Sequence, residues 1–137
     1  MTEITDHGAK PLVVNIREAA LKNTNFRTAL WTGKHIQVTL MSIPVGGDVG
    51  LELHHHEDQL LRIEQGSALV EMGPEKDEVT FKQEAGPGSA ILVPVGVWHN
   101  IINTGTDVLK LYSVYGPPHH DKGTVHETQA DDHGHDH

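Results

Sequence analysis

Histidine is the residue type in this chain with the clearest capacity for chemistry. The 137 residues include 12 histidines, three of them in the run His54-His55-His56, with Glu52 just before the run and His99 further along. The chain contains no cysteine, which excludes disulfides, thiolate metal sites and cysteine nucleophiles. Imidazole nitrogens and carboxylate oxygens together bind first-row divalent metals. Any metal that this chain binds must therefore use nitrogen and oxygen ligands.

The spacing of these residues follows a pattern bounded by glycines. Residues 46–66 read G-x5-E-x-H-x4-Q-x6-G, and residues 88–103 read G-x5-P-x-G-x2-H-x3-N. Side chains alternate between the two faces of a strand, so Glu52 and His54 are expected to point to the same side. A further ligand must then come from a neighbouring strand, and His99 in the second segment is the candidate.

The two segments resemble the paired signature of the cupin superfamily, whose first motif is G-x5-H-x-H-x3-4-E-x6-G. The second motif is matched here at every position. The first is matched at both glycines and at the second histidine, but Glu52 stands where the family usually has histidine and Gln59 where it usually has glutamate. The resemblance implies an all-β double-stranded β-helix, or jelly-roll barrel, similar to small single-domain bacterial cupins often called mannose-6-phosphate isomerase-like.

The triple histidine offers a second register, because His54 and His56 also form an H-x-H pair. In that register the residue that should be the first glycine is Asp48, and the acidic position falls on Leu60 or Leu61. The register that begins with Glu52 fits both glycines. We therefore expect His55 and His56 to be exposed or to line the mouth of the cavity.

The resemblance then implies a metal-facing set of Glu52, His54, Gln59 and His99. Glu52, His54 and His99 form a two-histidine, one-carboxylate group of the kind that holds Fe(II) or Mn(II) with open positions. Gln59 is either a weak carbonyl ligand or a hydrogen-bonding neighbour of the ligands. The cofactor prediction is one divalent metal ion per chain, with Fe, Mn, Ni and Zn all compatible and no catalytic residue assigned.

Short apolar runs between glycine- and proline-rich turns indicate the strands that must position these ligands. The runs are 36–43, 60–63, 68–72, 79–81, 90–93 and 108–115, several of them alternating with period two. This spacing is typical of a sandwich or barrel. A short helical segment is predicted only at 16–22.

The predicted organisation is a single domain with an arm at each end. Residues 1–28 form an N-terminal arm, 29–118 the barrel, and 119–137 a polar, histidine-rich tail. From Gln129 onward the tail contains no residue suited to anchor a core, so it is predicted to be mobile and removable without loss of stability. Its histidines could bind divalent metals loosely.

The net charge of −9 and the absence of a basic stripe argue against nucleic acid as a partner. No apolar run approaches the roughly 20 residues of a membrane span, and residues 1–10 lack the layout of a secretory signal. The expected setting is therefore cytoplasmic, without membrane contact. A homodimer is also predicted, since Leu21 and Phe26 would otherwise leave apolar surface exposed.

Two classes of function fit this sequence. The first is an enzyme of dioxygenase, isomerase or cyclase type, in which the metal acts on a small polar or carboxylated molecule. The alternative is a non-catalytic module that binds a small ligand or the metal itself for sensing or storage. Similarity of fold does not decide between them.

Overall fold

The fold is an antiparallel β-barrel with one short helix, as seen in a computed structural model that describes residues 4–132. The elements in chain order are α1 Ile16–Lys22, β1 Arg27–Thr32, β2 Gln37–Ile43, β3 Asp58–Gln65, β4 Ala68–Gly73, β5 Phe81–Ala85, β6 Ala90–Val93, β7 Trp98–Asn103, β8 Leu109–Gly116, β9 Val125–His126 and a 3-10 turn Gln129–Asp131. The all-β jelly-roll prediction, with a short N-terminal helical segment, is confirmed.

Two sheets face each other and enclose the main core. Six strands form the first sheet in the order β6-β3-β8-β2-β1-β9, and three form the second in the order β5-β4-β7. Two isolated bridges, Asp48 to Ile102 and Glu52 to His99, bring the stretch before β3 alongside β7. This stretch carries two of the predicted metal ligands, so the bridges determine which way those ligands face.

The interior changes from apolar to polar along the strands of the larger sheet. On β8, Leu109, Leu111, Ser113 and Tyr115 are all fully buried and, being two residues apart, share the inner face. Thr39 lies opposite Ser113 across the β2–β8 pair. One end of the barrel is therefore a hydrocarbon core, and the other is lined by groups that form hydrogen bonds.

The helix α1 covers the outer face of the larger sheet. Asn15 caps it by accepting a hydrogen bond from the Glu18 backbone N–H at 2.9 Å. The buried residues of α1 are Ala19 and Ala20, which form a second cluster with Leu30 and Leu40. Small side chains let the helix lie close to the strands, so two turns suffice to seal this face.

One strand differs from its predicted position, and three strands were not predicted. The run 79–81 is replaced by β5, Phe81–Ala85, whose exposed polar sequence carries no apolar alternation. The strand β7 was missed because its inward positions include His99 and Asn103, so its pattern is polar where a core strand would be apolar. The first strand, β1, begins at Arg27, slightly before the predicted barrel boundary, and β9 is too short to give a pattern.

The region predicted as a tail is packed against the barrel as far as it is described. We call residues 117–132 the C-terminal strap. Its β9 pairs with β1, and the backbone N–H groups of Phe26 and Ala29 donate to the strap carbonyls of Glu127 and Thr124. The expectation of a mobile tail from Gln129 is therefore wrong for 129–132, which are held by polar contacts rather than apolar ones. Residues 133–137 lie outside the described part.

The two residues on which the homodimer prediction was based are wholly or partly covered within the chain itself. Phe26 is buried in the main core and Leu21 is half-buried, so neither provides the exposed apolar surface that the prediction used. Exposed apolar side chains occur elsewhere, among them Phe81 and Leu92. Dimerisation itself stays a prediction. Among the described residues, no helix has the length and apolar character needed to cross a membrane.

Candidate metal centre

Glu52 and His99 face each other across an isolated antiparallel bridge. Each backbone N–H donates to the carbonyl of the other residue at 3.0 Å, which makes them a directly opposed pair. Directly opposed residues project their side chains to the same face. The Oε1 of Glu52 consequently lies 3.7 Å from the Nε2 of His99 inside the barrel.

His54 joins this pair because it is two residues beyond Glu52. Its backbone carbonyl accepts from the Gly96 N–H at 2.9 Å, which ties it to the turn before β7. The Nε2 of His54 lies 3.4 Å from the Oε1 of Glu52, and its side chain is 2% exposed. Three predicted ligand residues thus converge from two neighbouring segments of backbone.

Gln59, the second residue of β3, contacts His54 and completes the predicted set. Its amide NH2 donates to the Ser113 hydroxyl at 2.8 Å, which leaves its Oε1 directed to the Nε2 of His54 at 3.2 Å. The bond to Ser113 therefore orients the amide so that its acceptor faces the cluster. That arrangement suits either a carbonyl ligand or a hydrogen-bonding neighbour.

The donor atoms fit a divalent ion in number, type and spacing. Glu52, His54 and His99 offer one carboxylate oxygen and two imidazole nitrogens within 4.8 Å of one another. Two ligands about 2.1 Å from an ion are separated by about 3.0–3.4 Å at octahedral or tetrahedral angles, close to the separations seen here. The Nδ1 of His99 lies 3.1 Å from the Val97 carbonyl, to which it can donate, and this leaves its Nε2 as the free acceptor.

The unmet hydrogen-bonding capacity of His99 supports the same conclusion. Its Nε2 is buried and has no hydrogen-bond partner among residues 4–132. Buried polar atoms are nearly always satisfied, so an orphan directed at a carboxylate is explained by a ligand. A metal ion held by Glu52, His54 and His99 would satisfy it.

Electrostatics keep Glu52 in its charged form. Burial by itself would raise the pKa of Glu52, but the close approach of the His54 and His99 imidazoles outweighs burial and holds the pKa far below its usual range. An ionised carboxylate between two imidazoles is ready to bind a cation without first losing a proton.

The run of three histidines divides as the glycine-bounded register predicts. His55 and His56 are exposed, with ring centroids 6.4 Å apart, and neither belongs to the cluster. The naive H-x-H pair does not form, because only His54 of the two points inward.

A second cluster, not predicted from the sequence, shares His54. Glu57 and His119 lie 3.2 Å apart, and with His54 they offer three donor atoms within 4.8 Å. The strap brings His119 there, since its ring packs against His54 and Tyr115 with centroids 4.4 Å and 5.4 Å away. Burial and the neighbouring His54 lower the pKa of His119, although Glu57 opposes them. The polar sequence around His119 gave no sign that it folds over the barrel.

Tyr115 places a neutral hydroxyl deep in the polar half of the barrel. Burial raises its pKa to about 12, with Glu52 adding to the rise and Arg27 opposing it. Its hydroxyl has no well-formed hydrogen bond within the described part of the chain, although Ser113 lies close by. At neutral pH it is therefore available as a hydrogen-bond donor.

Because Tyr115 resists ionisation, its titration gives a direct test of this burial. In a Tyr112→Phe variant, Tyr115 is the single remaining tyrosine, and phenolate absorbance at 295 nm should rise near pH 12 while the protein stays folded. The free phenol ionises near 10, so the tyrosine contributes stability below pH 10 that is lost as the pH rises toward 12. A midpoint near 10 in the folded protein would contradict its burial.

Comparison with known proteins places this architecture in a recognised group. Residues 39–115 match the family model described as Cupin domain. The chain is 59% identical to the protein YrkC of Bacillus subtilis (strain 168) over 128 residues, which cover 93% of this chain and 69% of that protein.

Solved structures agree with this match. The crystal structure of BH2720 from Bacillus halodurans is 57% identical, covers 93% of this chain and 97% of its own, and superposes with a TM-score of 0.92. KdgF from Halomonas sp. shares 21% identity, with 67% of this chain and 77% of its own covered and a TM-score of 0.58. The second likeness concerns the fold alone.

Proposed function

Since this chain belongs to the cupin family, we propose that it binds one divalent metal ion within the barrel and acts there on a small polar or carboxylated molecule. The observation that carries the proposal is the convergence of Glu52, His54 and His99, with an orphaned Nε2 on His99. The reaction class would be that of a dioxygenase, an isomerase or a cyclase.

The ligand set supports chemistry because it leaves room at the metal. Three protein ligands, or four with Gln59, leave at least two positions of an octahedral ion for a substrate or oxygen. A bound metal would supply Lewis-acid polarisation or oxygen activation at those positions. The charged Glu52 offsets one of the two charges of the cation, and Ser113 holds Gln59 in a fixed orientation.

The residues around the metal position would bind and orient a substrate. Tyr115 can donate a hydrogen bond from its neutral hydroxyl. The Thr39 hydroxyl is also buried, and it has no partner in the described region. Both belong to the polar half of the barrel, so their hydroxyls suit a small molecule with several oxygen atoms better than an apolar one.

A sugar phosphate isomerase in the literal sense receives little support. A phosphate group is usually bound by several cationic side chains or backbone amides. Among the lysines and arginines of residues 4–132, only Arg27 and Lys110 are buried, and the Nζ of Lys110 bonds to the Asn23 carbonyl outside the barrel. One interior cation suits a carboxylate better than a phosphate.

The second candidate function is a non-catalytic module that stores or senses a metal or a small ligand. The strap favours it, because it brings His119 beside His54 and Glu57, which adds protein donors next to the metal position. A closed site with four protein ligands is typical of structural zinc rather than of a catalytic metal.

Metal analysis of protein purified without a nickel column separates the two candidates. We expect close to one equivalent of iron or manganese per chain. Tightly bound zinc with no exchangeable water would favour storage or sensing instead. Protein that contains no metal and binds none on titration would contradict the metal centre and would leave only a module for a small ligand.

A further inference from the structure

Arg27 is a buried cation inside the barrel that the metal site does not use. It lies on β1 directly opposite Met41, a core residue, and its side chain is 1% exposed. Burial by itself would lower the pKa of Arg27, but electrostatic interaction with Tyr115, Asp132 and Glu52 outweighs burial and raises it. The guanidinium therefore lies within electrostatic range of both the metal-binding carboxylate and the Tyr115 hydroxyl.

The hydrogen-bonding capacity of Arg27 is only partly used. Its Nη1 donates to the Oδ1 of Asp132 at 2.8 Å and lies 3.5 Å from the Nδ1 of His126. Its Nη2 contacts the Met41 sulfur at 3.8 Å, and its Nε has no partner within residues 4–132. A guanidinium normally binds a carboxylate through two parallel bonds, so one monodentate contact leaves donors free in a buried site.

Asp132, the partner of Arg27, comes from the C-terminal strap rather than from the barrel. It follows the 3-10 turn Gln129–Asp131, which is attached by a hydrogen bond from the Gln129 amide to Asp48 at 2.9 Å. The strap thus runs from the edge of β1 to the stretch before Glu52. At its end it inserts one carboxylate into an interior that otherwise belongs to the barrel.

We propose that Arg27 is the anchor for a carboxylate group of a small ligand, and that Asp132 occupies this anchor until the ligand displaces it. The ligand class is a small carboxylic acid with a second oxygen function. Arg27 binds its carboxylate, Tyr115 and Thr39 contact its polar atoms, and the second oxygen function faces the metal position. The inference rests on the proposed function, since it names the substrate class of the same site.

The test uses malonate and its neutral diamide malonamide as probes, titrated calorimetrically into the full chain after removal of metal. We expect Asp132→Asn to bind malonate at least about tenfold more tightly than the unmodified protein, because the competing carboxylate is gone. Asp131→Asn removes the same charge one residue earlier, where the carboxylate contacts Thr128 instead, and should change nothing. Malonamide should bind none of the three proteins.

A double variant, Asp132→Asn with Arg27→Met, removes both charges so that no buried ion is left alone. It should lose the gained affinity for malonate while retaining a cooperative thermal transition. The proposal is overturned if Asp132→Asn shows no gain, if Asp131→Asn shows the same gain, or if the double variant keeps it.

A parallel Mn(II) titration separates this inference from the proposed function. If the protein binds Mn(II) but Asp132→Asn gains no affinity for malonate, the metal centre is supported and the role of Arg27 as a carboxylate anchor is contradicted. If Asp132→Asn gains affinity for malonate but the protein binds no Mn(II), the anchor is supported and the metal centre is contradicted.

Discussion

Replacing Glu52 with alanine should weaken Mn(II) binding by at least about tenfold, or about 1.4 kcal/mol, while the fold is retained. The substitution removes one of three converging ligands and also the negative charge that offsets the cation. Because the Glu52 side chain is 15% exposed and lies at the end of the core, its loss creates no large apolar cavity. Titration calorimetry on protein lacking residues 133–137 would measure the affinity without the loose sites of the terminal histidines.

The matched control is His56→Ala in the same shortened protein. His56 is exposed and lies outside the cluster, so its removal should leave the affinity for Mn(II) within about twofold. If His56→Ala abolishes binding while Glu52→Ala has no effect, the naive histidine pair holds the metal and the Glu52 register is wrong.

Replacing Asp132 with alanine should lower the free energy of unfolding by about 3 kcal/mol. Removing one partner of a buried ion pair costs roughly 3–5 kcal/mol, and we expect the lower end of that range. Arg27 would keep its charge in a buried site without its carboxylate, whereas the 12% exposure of Asp132 allows some water to enter. Urea unfolding followed by circular dichroism measures the change. This expectation reverses the sequence-based one, in which removal of 129–137 costs nothing.

Two further variants serve as controls for the Asp132→Ala measurement. Asp131→Ala alters an exposed residue of the same turn and should change stability by less than about 0.5 kcal/mol. Adding Arg27→Met to Asp132→Ala should recover most of the loss, since an apolar side chain leaves no unpaired charge. Equal stability of Asp132→Ala and the unmodified protein would show that the strap contributes nothing through this pair.

The sequence predicted the centre of the molecule well because the relevant signals are local. The spacing from Glu52 to His54 needs only the alternation of an extended backbone, and the helix Ile16–Lys22 has a capping Asn15 immediately before it. Asn103 shows the same principle, since its side chain closes the following turn by accepting from the Gly105 N–H at 3.0 Å. Features of this kind are decided by neighbours along the chain.

The strap and the interior cation were missed because they depend on contacts between distant residues. Arg27 and Asp132 are 105 positions apart by number, and nothing near either residue signals the other. A polar segment such as 119–132 shows no apolar periodicity, so its sequence predicts a mobile tail even where individual hydrogen bonds attach it to the barrel. His119 reaches the site only as a consequence of that path.

The most direct test of the metal centre is the anomalous diffraction of crystals of the full chain soaked in Mn(II), because it locates the ion independently of activity. We expect one strong anomalous peak within bonding distance of the Oε1 of Glu52 and the Nε2 atoms of His54 and His99. A principal peak between His54, Glu57 and His119, or peaks confined to residues 133–137, would contradict the assignment of the metal to Glu52, His54 and His99.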